Sequence, residues 1–243
     1  MYKGIYKIAD HVFAIESLYD DVHLMCADYA ADGAPEFSVC TSAADICSER
    51  AESARTHELE GSGPGDYETD GYLETLAVYR KLCCRLLQCN ILLIHGSCLA
   101  IDGEGLLFVA RSGTGKSTHT RNWRKYFGSR VVMVNDDKPL LDVSTMRIYG
   151  TPWDGKHHIS SNVSVQLRAV IEVARHAENS IRRIPARQAL ERMMSQTYLP
   201  HDGMLKLATF RLLNTLMDKA EFYVLECNKD VDSARVAYEG LCH

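Results

Sequence analysis

The chain has 243 residues, of which 46% are hydrophobic and 24% charged, and its formal net charge is −5 at pH 7. This length allows one domain or two small ones and the burial of a substantial core. The negative balance argues against a general nucleic-acid-binding surface. No apolar run reaches the roughly 20 residues that span a bilayer, and the N-terminus lacks a signal-peptide pattern, so no membrane partner is expected.

Nine cysteines are present, an odd number without paired CxxC spacing. This argues against a disulfide framework or a zinc site and favours a reduced, cytoplasmic compartment.

The first part of the chain predicts short strands in "YKGIYKI", "VFAIES", "VHLMCADYA" and "FSVCTS". A polar segment from Ala43 to Tyr67 follows and ends in "EGSGPGDYE", whose glycines and proline favour turns. We interpret this segment as a linker. The prediction is a β-rich N-terminal region over 1–67 and a second domain over 68–243.

The second region begins with a predicted helix over 72–88 and a hairpin in "ILLIHGSCLAIDGEGLLFVA", turning at "DGEG". Strands are predicted in "VVMVNDD", "KPLLDVS", "TMRIYGTPW", "VSVQLRAVIEVAR" and "FYVLEC". Residues 185–217 have a helical pattern broken at Pro200, and residues 230–241 predict a short final helix. The order indicates an α/β domain with hairpins rather than a strict βαβ alternation.

The stretch "LLFVARSGTGKSTHT", residues 106–120, has the order strand, glycine loop, helix. It predicts a phosphate loop, in which backbone N–H groups, Lys116 and the helix N-terminus meet phosphates and the Ser117 hydroxyl meets Mg²⁺. The first glycine of the GxxxxGK[ST] pattern is replaced by Ala110. The alternative is a glycine-rich turn with an exposed lysine. The predicted nucleotide-binding residues are Ala110, Arg111, Ser112, Gly113, Thr114, Gly115, Lys116, Ser117 and Thr118.

Two carboxylates, Asp136 and Asp137, end the apolar strand "VVMVNDD", about 20 residues after Lys116. Carboxylates at such a position bind Mg²⁺ or accept a proton from an attacking hydroxyl. The alternative is a polar turn before Lys138. Beside a phosphate loop we favour divided roles, one carboxylate on the metal and the other facing the acceptor.

His95 lies 21 positions before Lys116. If Gly103 and Glu104 form the two-residue turn of the hairpin, position 95 comes opposite Ser112. The imidazole would then reach the phosphates or the aspartate pair. The alternative is a histidine that caps a strand end.

The run "IHGSCLAIDGEGLLFVARSGTGKST" followed by "NDD" resembles the catalytic domain of the HPr kinase/phosphorylase family. "SGTGKST" and the acidic pair are also similar to PEP carboxykinase, which shares that nucleotide-binding core. The match covers roughly residues 91–140 and extends more loosely to about Arg175. The fold that it implies is an α/β P-loop catalytic domain, with the small β-rich part preceding it.

The resemblance implies ATP-dependent phosphorylation of a serine hydroxyl, with Lys116 on phosphates, Ser117 on Mg²⁺, Asp136 as acid/base group and His95 as its neighbour. The family's acidic metal-binding signature after the Asp-Asp strand is not recognisable here. Asn162 lies near that spacing and would be a neutral ligand, or the second metal contact is absent. Reverse phosphorolysis and HPr as a substrate therefore do not follow.

The sequence thus predicts a phosphotransferase that uses ATP and Mg²⁺ and acts on a serine-containing peptide, protein or small molecule. Catalysis is assigned to Asp136, His95 and Lys116, and metal binding to Ser117, Asp137 and Asp136. "TPWDGKHH", residues 151–158, is the candidate acceptor-binding segment. A non-catalytic nucleotide-binding regulatory module and a carboxykinase-like enzyme are the alternatives. Whether the chain forms a homo-oligomer, and which aspartate is the base, stay open.

Overall fold

The computed structural model describes residues 1–60, 68–111 and 113–242, the side chains of residues 59 and 60 excepted. The described strands are β1 (Tyr2–Ile8), β2 (His11–Ser17), β3 (Phe37–Cys40), β4 (Ile91–Leu93), β5 (Ser97–Ile101), β6 (Glu104–Val109), β7 (Val131–Asn135), β8 (Leu140–Asp142), β9 (Arg147–Tyr149), β10 (Ser164–Arg175), β11 (Ser180–Ile184) and β12 (Glu221–Cys227). The helices are α1 (Asp21–Met25), α2 (Ala43–Glu60), α3 (Asp70–Leu86), α4 (Lys116–Phe127), α5 (Ala186–Gln196), α6 (Gly203–Lys219) and α7 (Asp232–Leu241).

The chain divides into two compact units, residues 1–85 and 86–243. Both are α/β, the first with a small sheet and the second with a large mixed sheet. The sequence-based boundary at 67/68 gave α3 to the second region, whereas this helix lies almost entirely in the first unit. No helix of the described residues is long and apolar enough to cross a membrane.

The first unit carries the three-stranded sheet β1-β2-β3. The predicted strand "VHLMCADYA" is wrong, because this stretch forms α1 and a single 3₁₀ turn. Its buried residues Val22 and Cys26 are four positions apart, which is helical spacing.

The predicted linker over 43–67 is wrong for residues 43–60, which form α2. This helix has a polar sequence, and charged pairs attach it to α3: Asp45 contacts Lys81 at 2.8 Å and Glu49 contacts Arg80 at 2.6 Å. Tertiary contacts, rather than an apolar stripe, therefore hold it in place. The glycine-rich end of the predicted linker, residues 61–67, lies outside the described residues.

Nine strands of the described second unit form one mixed sheet, in which β4-β8-β9-β10-β6-β5-β7 is the main path and β12 joins β10 to β11. The predicted strands of this region are present, and β11 is a strand that the pattern did not indicate. The helices predicted before and after Pro200 are α5 and α6.

Strand β6 is buried on both faces, so its side chains alternate between two cores. Leu107 and Val109 belong to the core with α5 and α6. Leu106 and Phe108 belong to the core that holds Trp123 of α4 and Leu241 of α7. Packing on both faces of β6 therefore fixes the position at which the chain leaves the sheet, at Ala110.

The hairpin β5–β6 is present, but its predicted register is wrong. Ile101 pairs with Glu104, and Asp102 and Gly103 form the turn with φ of +52° and +87°. A two-residue turn of this kind needs positive φ at both central positions, which Asp-Gly adopts more readily than Gly-Glu. Pairing therefore shifts by two residues from the predicted register, and the argument that placed His95 opposite Ser112 fails.

The strand directions bring the ends of four strands to one edge of the sheet. β6 and β7 both run antiparallel to β5, and β10 runs parallel to β6. The carboxyl ends of β6, β7 and β10 therefore meet the amino end of β5. We call this edge the upper edge.

Candidate functional site

The glycine loop, residues 110–115, joins β6 to α4 at the upper edge. Gly113 and Gly115 have φ of +73° and +123°, a region that residues with a side chain adopt only under strain. The Thr114 N–H donates to Arg111 O at 3.1 Å and closes a turn within the loop. Helix α4 then begins at Lys116, so that its first unpaired N–H groups follow the loop directly.

Lys116 is half-buried, and its Nζ donates to Ala110 O at 3.2 Å. Burial lowers the pKa of Lys116, the negative charges of Asp137 and Asp136 oppose that shift, and the positive charge of Arg192 adds to it. Arg192, on α5, contacts Glu172 of β10 at 2.7 Å. The ammonium therefore lies at the loop mouth, within the field of both carboxylates.

Asp136 follows β7 directly and is buried, with 8% of its surface exposed. Its Oδ1 accepts from Ser97 Oγ at 2.6 Å and from Thr120 Oγ1 at 3.4 Å. Its backbone N–H donates to Ile159 O at 3.1 Å. A residue of β5 and a residue of α4 thus orient one carboxylate oxygen.

The Asp137 carboxylate contacts a side-chain nitrogen at each of its two oxygens. His95 Nε2 lies 3.1 Å from Oδ1, and Lys138 Nζ contacts Oδ2. Burial alone would raise the pKa of Asp137, but the hydrogen bond from His95 and the charge of Lys138 hold that pKa well below its usual range. The imidazole of His95 is therefore part of the site through its contact with Asp137. The backbone N–H of His95 donates to Gln196 O at 2.7 Å.

Asn135 shapes the turn that carries the two aspartates. It is fully buried, and its Oδ1 accepts the N–H groups of Asp137 at 2.8 Å and Lys138 at 2.6 Å. Its Nδ2 donates to Thr151 O at 2.9 Å and Thr151 Oγ1 at 3.0 Å. An amide has the mixed donors and acceptors for this role, which a carboxylate lacks.

The predicted acceptor-binding segment, residues 151–158, lies beside this turn. A Cβ added to Gly155 would come within 2.9 Å of Asp137 Cβ, and Gly155 has φ of +77°. Asp154 is buried and accepts from Ser160 Oγ at 2.8 Å, while Lys156 is exposed. The backbone of the segment therefore passes so close to Asp137 that a side chain at position 155 would clash with it.

The structure brings Lys116, Asp136, Asp137 and His95 together at the upper edge. Other predicted residues line the loop and first turn of α4: Arg111 is exposed, and Thr114, Ser117 and Thr118 are half-buried. Ser112 lies outside the described residues. Asn162 is exposed, two positions beyond Ser160, which bridges to Asn135.

Sequence reasoning did not identify four side chains that shape the site: Ser97, Thr120, Asn135 and Arg175, whose Nε donates to Thr114 O at 3.0 Å. Asn135 was visible as the first residue of "NDD", because Asn favours such side-chain-to-backbone turns. Thr120 lies one helical turn after Lys116, on the same face of α4. Ser97 and Arg175 carry no local signal, since only the pairing of the strands brings them to the upper edge.

No group of three or more His, Cys, Asp or Glu side chains suited to a metal occurs within residues 1–60, 68–111 and 113–242. The oxygen donors of the site are the two aspartates and the Ser117 hydroxyl. Mg²⁺ is commonly held by one or two carboxylates together with substrate phosphates, so this donor set fits that ion.

No protein-family model matches the chain, and no curated protein matches it in sequence. One similar solved structure is described as the Hpr(Ser) kinase/phosphatase from Coxiella burnetii. It is 13% identical with a TM-score of 0.23, and the match covers 52% of this chain and 91% of that chain. Similarity of this degree is at most one of fold, so function is inferred from the site's own residues.

Proposed function

We propose that the chain is an ATP-dependent phosphotransferase of the HPr-kinase-like type, which phosphorylates a serine hydroxyl. The observation that carries the proposal is the cluster of Lys116, Asp136 and Asp137 beside a glycine loop that opens onto a helix N-terminus. Such a loop suits phosphates, because N–H groups and a lysine converge on them. We assign the activity to the predicted kinase domain, residues 68–243. All the described residues of the site lie within the compact unit 86–243.

Asp136 is the group that we assign as proton acceptor. The Asp137 carboxyl has a pKa far below neutral, which makes it a weak base. The Oδ1 of Asp136 instead accepts hydrogen bonds from two neutral hydroxyls, those of Ser97 and Thr120. In the proposed step the acceptor oxygen bonds to the γ-phosphorus, the bond to the ADP oxygen breaks, and the hydroxyl proton passes to Asp136.

Lys116 and the loop N–H groups bind the outer phosphates and offset the charge that develops on them. Mg²⁺ bound with the nucleotide would neutralise further phosphate charge, and Ser117 with Asp137 and Asp136 are the side chains that would hold it. His95 and Lys138 keep Asp137 ionised. Asn162 remains the candidate for a neutral second ligand.

The acceptor is a serine-containing peptide, protein or small molecule, bound beside residues 151–158. This placement is supported by the close approach of the Gly155 backbone to Asp137 and by the exposure of Lys156 and His157. A hydroxyl bound there would approach the aspartate turn from the side of the segment.

The test is phosphoryl transfer from γ-labelled ATP with Mg²⁺ by the purified full chain. A library of serine-containing peptides, free serine and alanine-substituted peptides would be supplied in parallel. The expected result is label on serine hydroxyls, absent when alanine replaces serine. If the chain binds ATP but neither transfers its phosphoryl group to any acceptor nor turns ATP over, a nucleotide-binding regulatory module is indicated instead.

A further inference from the structure

Arg175 reaches the glycine loop from a distant part of the chain. It is the last residue of β10, at the upper edge. Its Nε donates to Thr114 O at 3.0 Å, and its Nη2 donates to Gly113 O. The two acceptors are successive carbonyls of the loop, so a single guanidinium contacts both.

These two bonds fix the orientation of two loop peptides. The C=O and N–H of a trans peptide point in opposite directions. With Thr114 O on the guanidinium, the N–H of Gly115 points away from Arg175. With Gly113 O held in the same way, the N–H of Thr114 points back to Arg111 O, where it donates at 3.1 Å. The arginine therefore holds both the turn inside the loop and the direction of the N–H that precedes α4.

Arginine suits this contact because its planar guanidinium presents two donors on one edge, in a fixed geometry. The ammonium of lysine is a point donor and cannot reproduce the pair of parallel bonds. The contact also joins the loop to β10, which is hydrogen-bonded to β6 and β12 in the sheet. The anchor is thus a rigid strand rather than another loop.

We infer that Arg175 is a positioning residue that holds the glycine loop ready for the phosphates of ATP before the nucleotide binds. This inference rests on the proposed function. A loop whose peptides are already oriented binds an anion without first losing conformational freedom, so its affinity is higher.

The affinity test compares Arg175→Ala with Arg182→Ala, which removes the same charge from an exposed position on β11. We expect the dissociation constant for MgATP, measured by calorimetry, to rise about tenfold in Arg175→Ala and to stay unchanged in Arg182→Ala. Arg175→Lys should bind with intermediate affinity. Full recovery with lysine would show that charge alone suffices and would overturn the positioning role.

The outcomes separate this inference from the proposed function. If the wild-type chain does not bind MgATP, both fail. If it binds and Arg175→Ala binds equally well, the inference about Arg175 fails alone. Hydrogen exchange in the nucleotide-free protein gives an independent measure: the Thr114 amide should exchange faster in Arg175→Ala than in wild type, and equal exchange would overturn the inference.

Discussion

Ser97 Oγ donates a 2.6 Å hydrogen bond to Asp136 Oδ1, although the two residues lie 39 positions apart. Ser97 is fully buried, and Asp136 is 8% exposed. The bond joins the first residue of β5 to the residue that follows β7, across one pair of strands. A buried hydroxyl thus fixes the orientation of the carboxylate that we assign as proton acceptor.

Ser97→Ala removes this bond and leaves the carboxylate with its longer contact to Thr120. We expect phosphoryl transfer to fall about tenfold, because a hydrogen bond to a charged group contributes roughly 1.5–3 kcal/mol. The dissociation constant for MgATP should not change, since Ser97 does not line the loop. Single-turnover transfer rates and nucleotide binding, measured on the same preparation, test whether transfer falls while affinity stays the same. Equal transfer in the variant and the wild type would contradict an orienting role.

Lys116→Ala should lower phosphoryl transfer by about 10²–10³-fold, since one preorganised donor to the developing charge contributes this much to kcat. MgATP binding should weaken by about tenfold or more, because a hydrogen bond to a charged group contributes roughly 1.5–3 kcal/mol. The free energy of unfolding should change little, because burial disfavours the charged form of the lysine. Lys125→Ala is the matched control: it removes an exposed lysine from the same helix. Turnover retained in Lys116→Ala would count against the whole scheme.

Asp136→Asn should keep MgATP binding and lower transfer by about 10²–10⁴-fold, the usual contribution of a general base. Asp137→Asn should lower transfer less, because that carboxylate acts through charge. The rates of both variants at saturating ATP provide the comparison. A larger loss in Asp137→Asn would reverse the assignment of the pair.

Local patterns predicted the parts of the site that are contiguous in the chain. The order of β6, the glycine loop and α4 followed from "LLFVARSGTGKSTHT", and the acidic turn followed from "VVMVNDD". Each of these signals lies within one strand and the residues next to it. Backbone preferences of glycine and the periodicity of buried strands are sufficient for such segments.

Local patterns could not predict contacts between segments that are distant in the sequence. Misplacing the turn by one residue, at Gly103–Glu104 instead of Asp102–Gly103, shifted every partner along the hairpin by two residues, because register propagates from the turn. Arg175 reaches the loop only because β10 runs parallel to β6. The polar helix α2 was missed for a related reason, since its stabilising partners Lys81 and Arg80 lie on another helix.

His119 gives a stability prediction that does not depend on catalysis. It is 2% exposed, and its Nε2 accepts the indole N–H of Trp123 at 2.8 Å. An indole N–H only donates, so Nε2 is unprotonated and the neutral ring carries its proton on Nδ1, 3.4 Å from Ser233 Oγ. Burial lowers the pKa of His119 to about 3.

Between the ordinary histidine pKa of about 6.5 and the folded value, the unfolded chain binds a proton at this position and the folded chain does not. The free energy of unfolding should therefore fall as the pH is lowered through this window, by about 1.4 kcal/mol per pH unit from this one residue. His119→Gln offers an amide in place of the imidazole and removes the titration. Urea unfolding at pH 7 and pH 5 should show wild type losing about 2 kcal/mol more than the variant. Equal losses in the two proteins would mean that the folded protein accommodates a protonated ring at position 119.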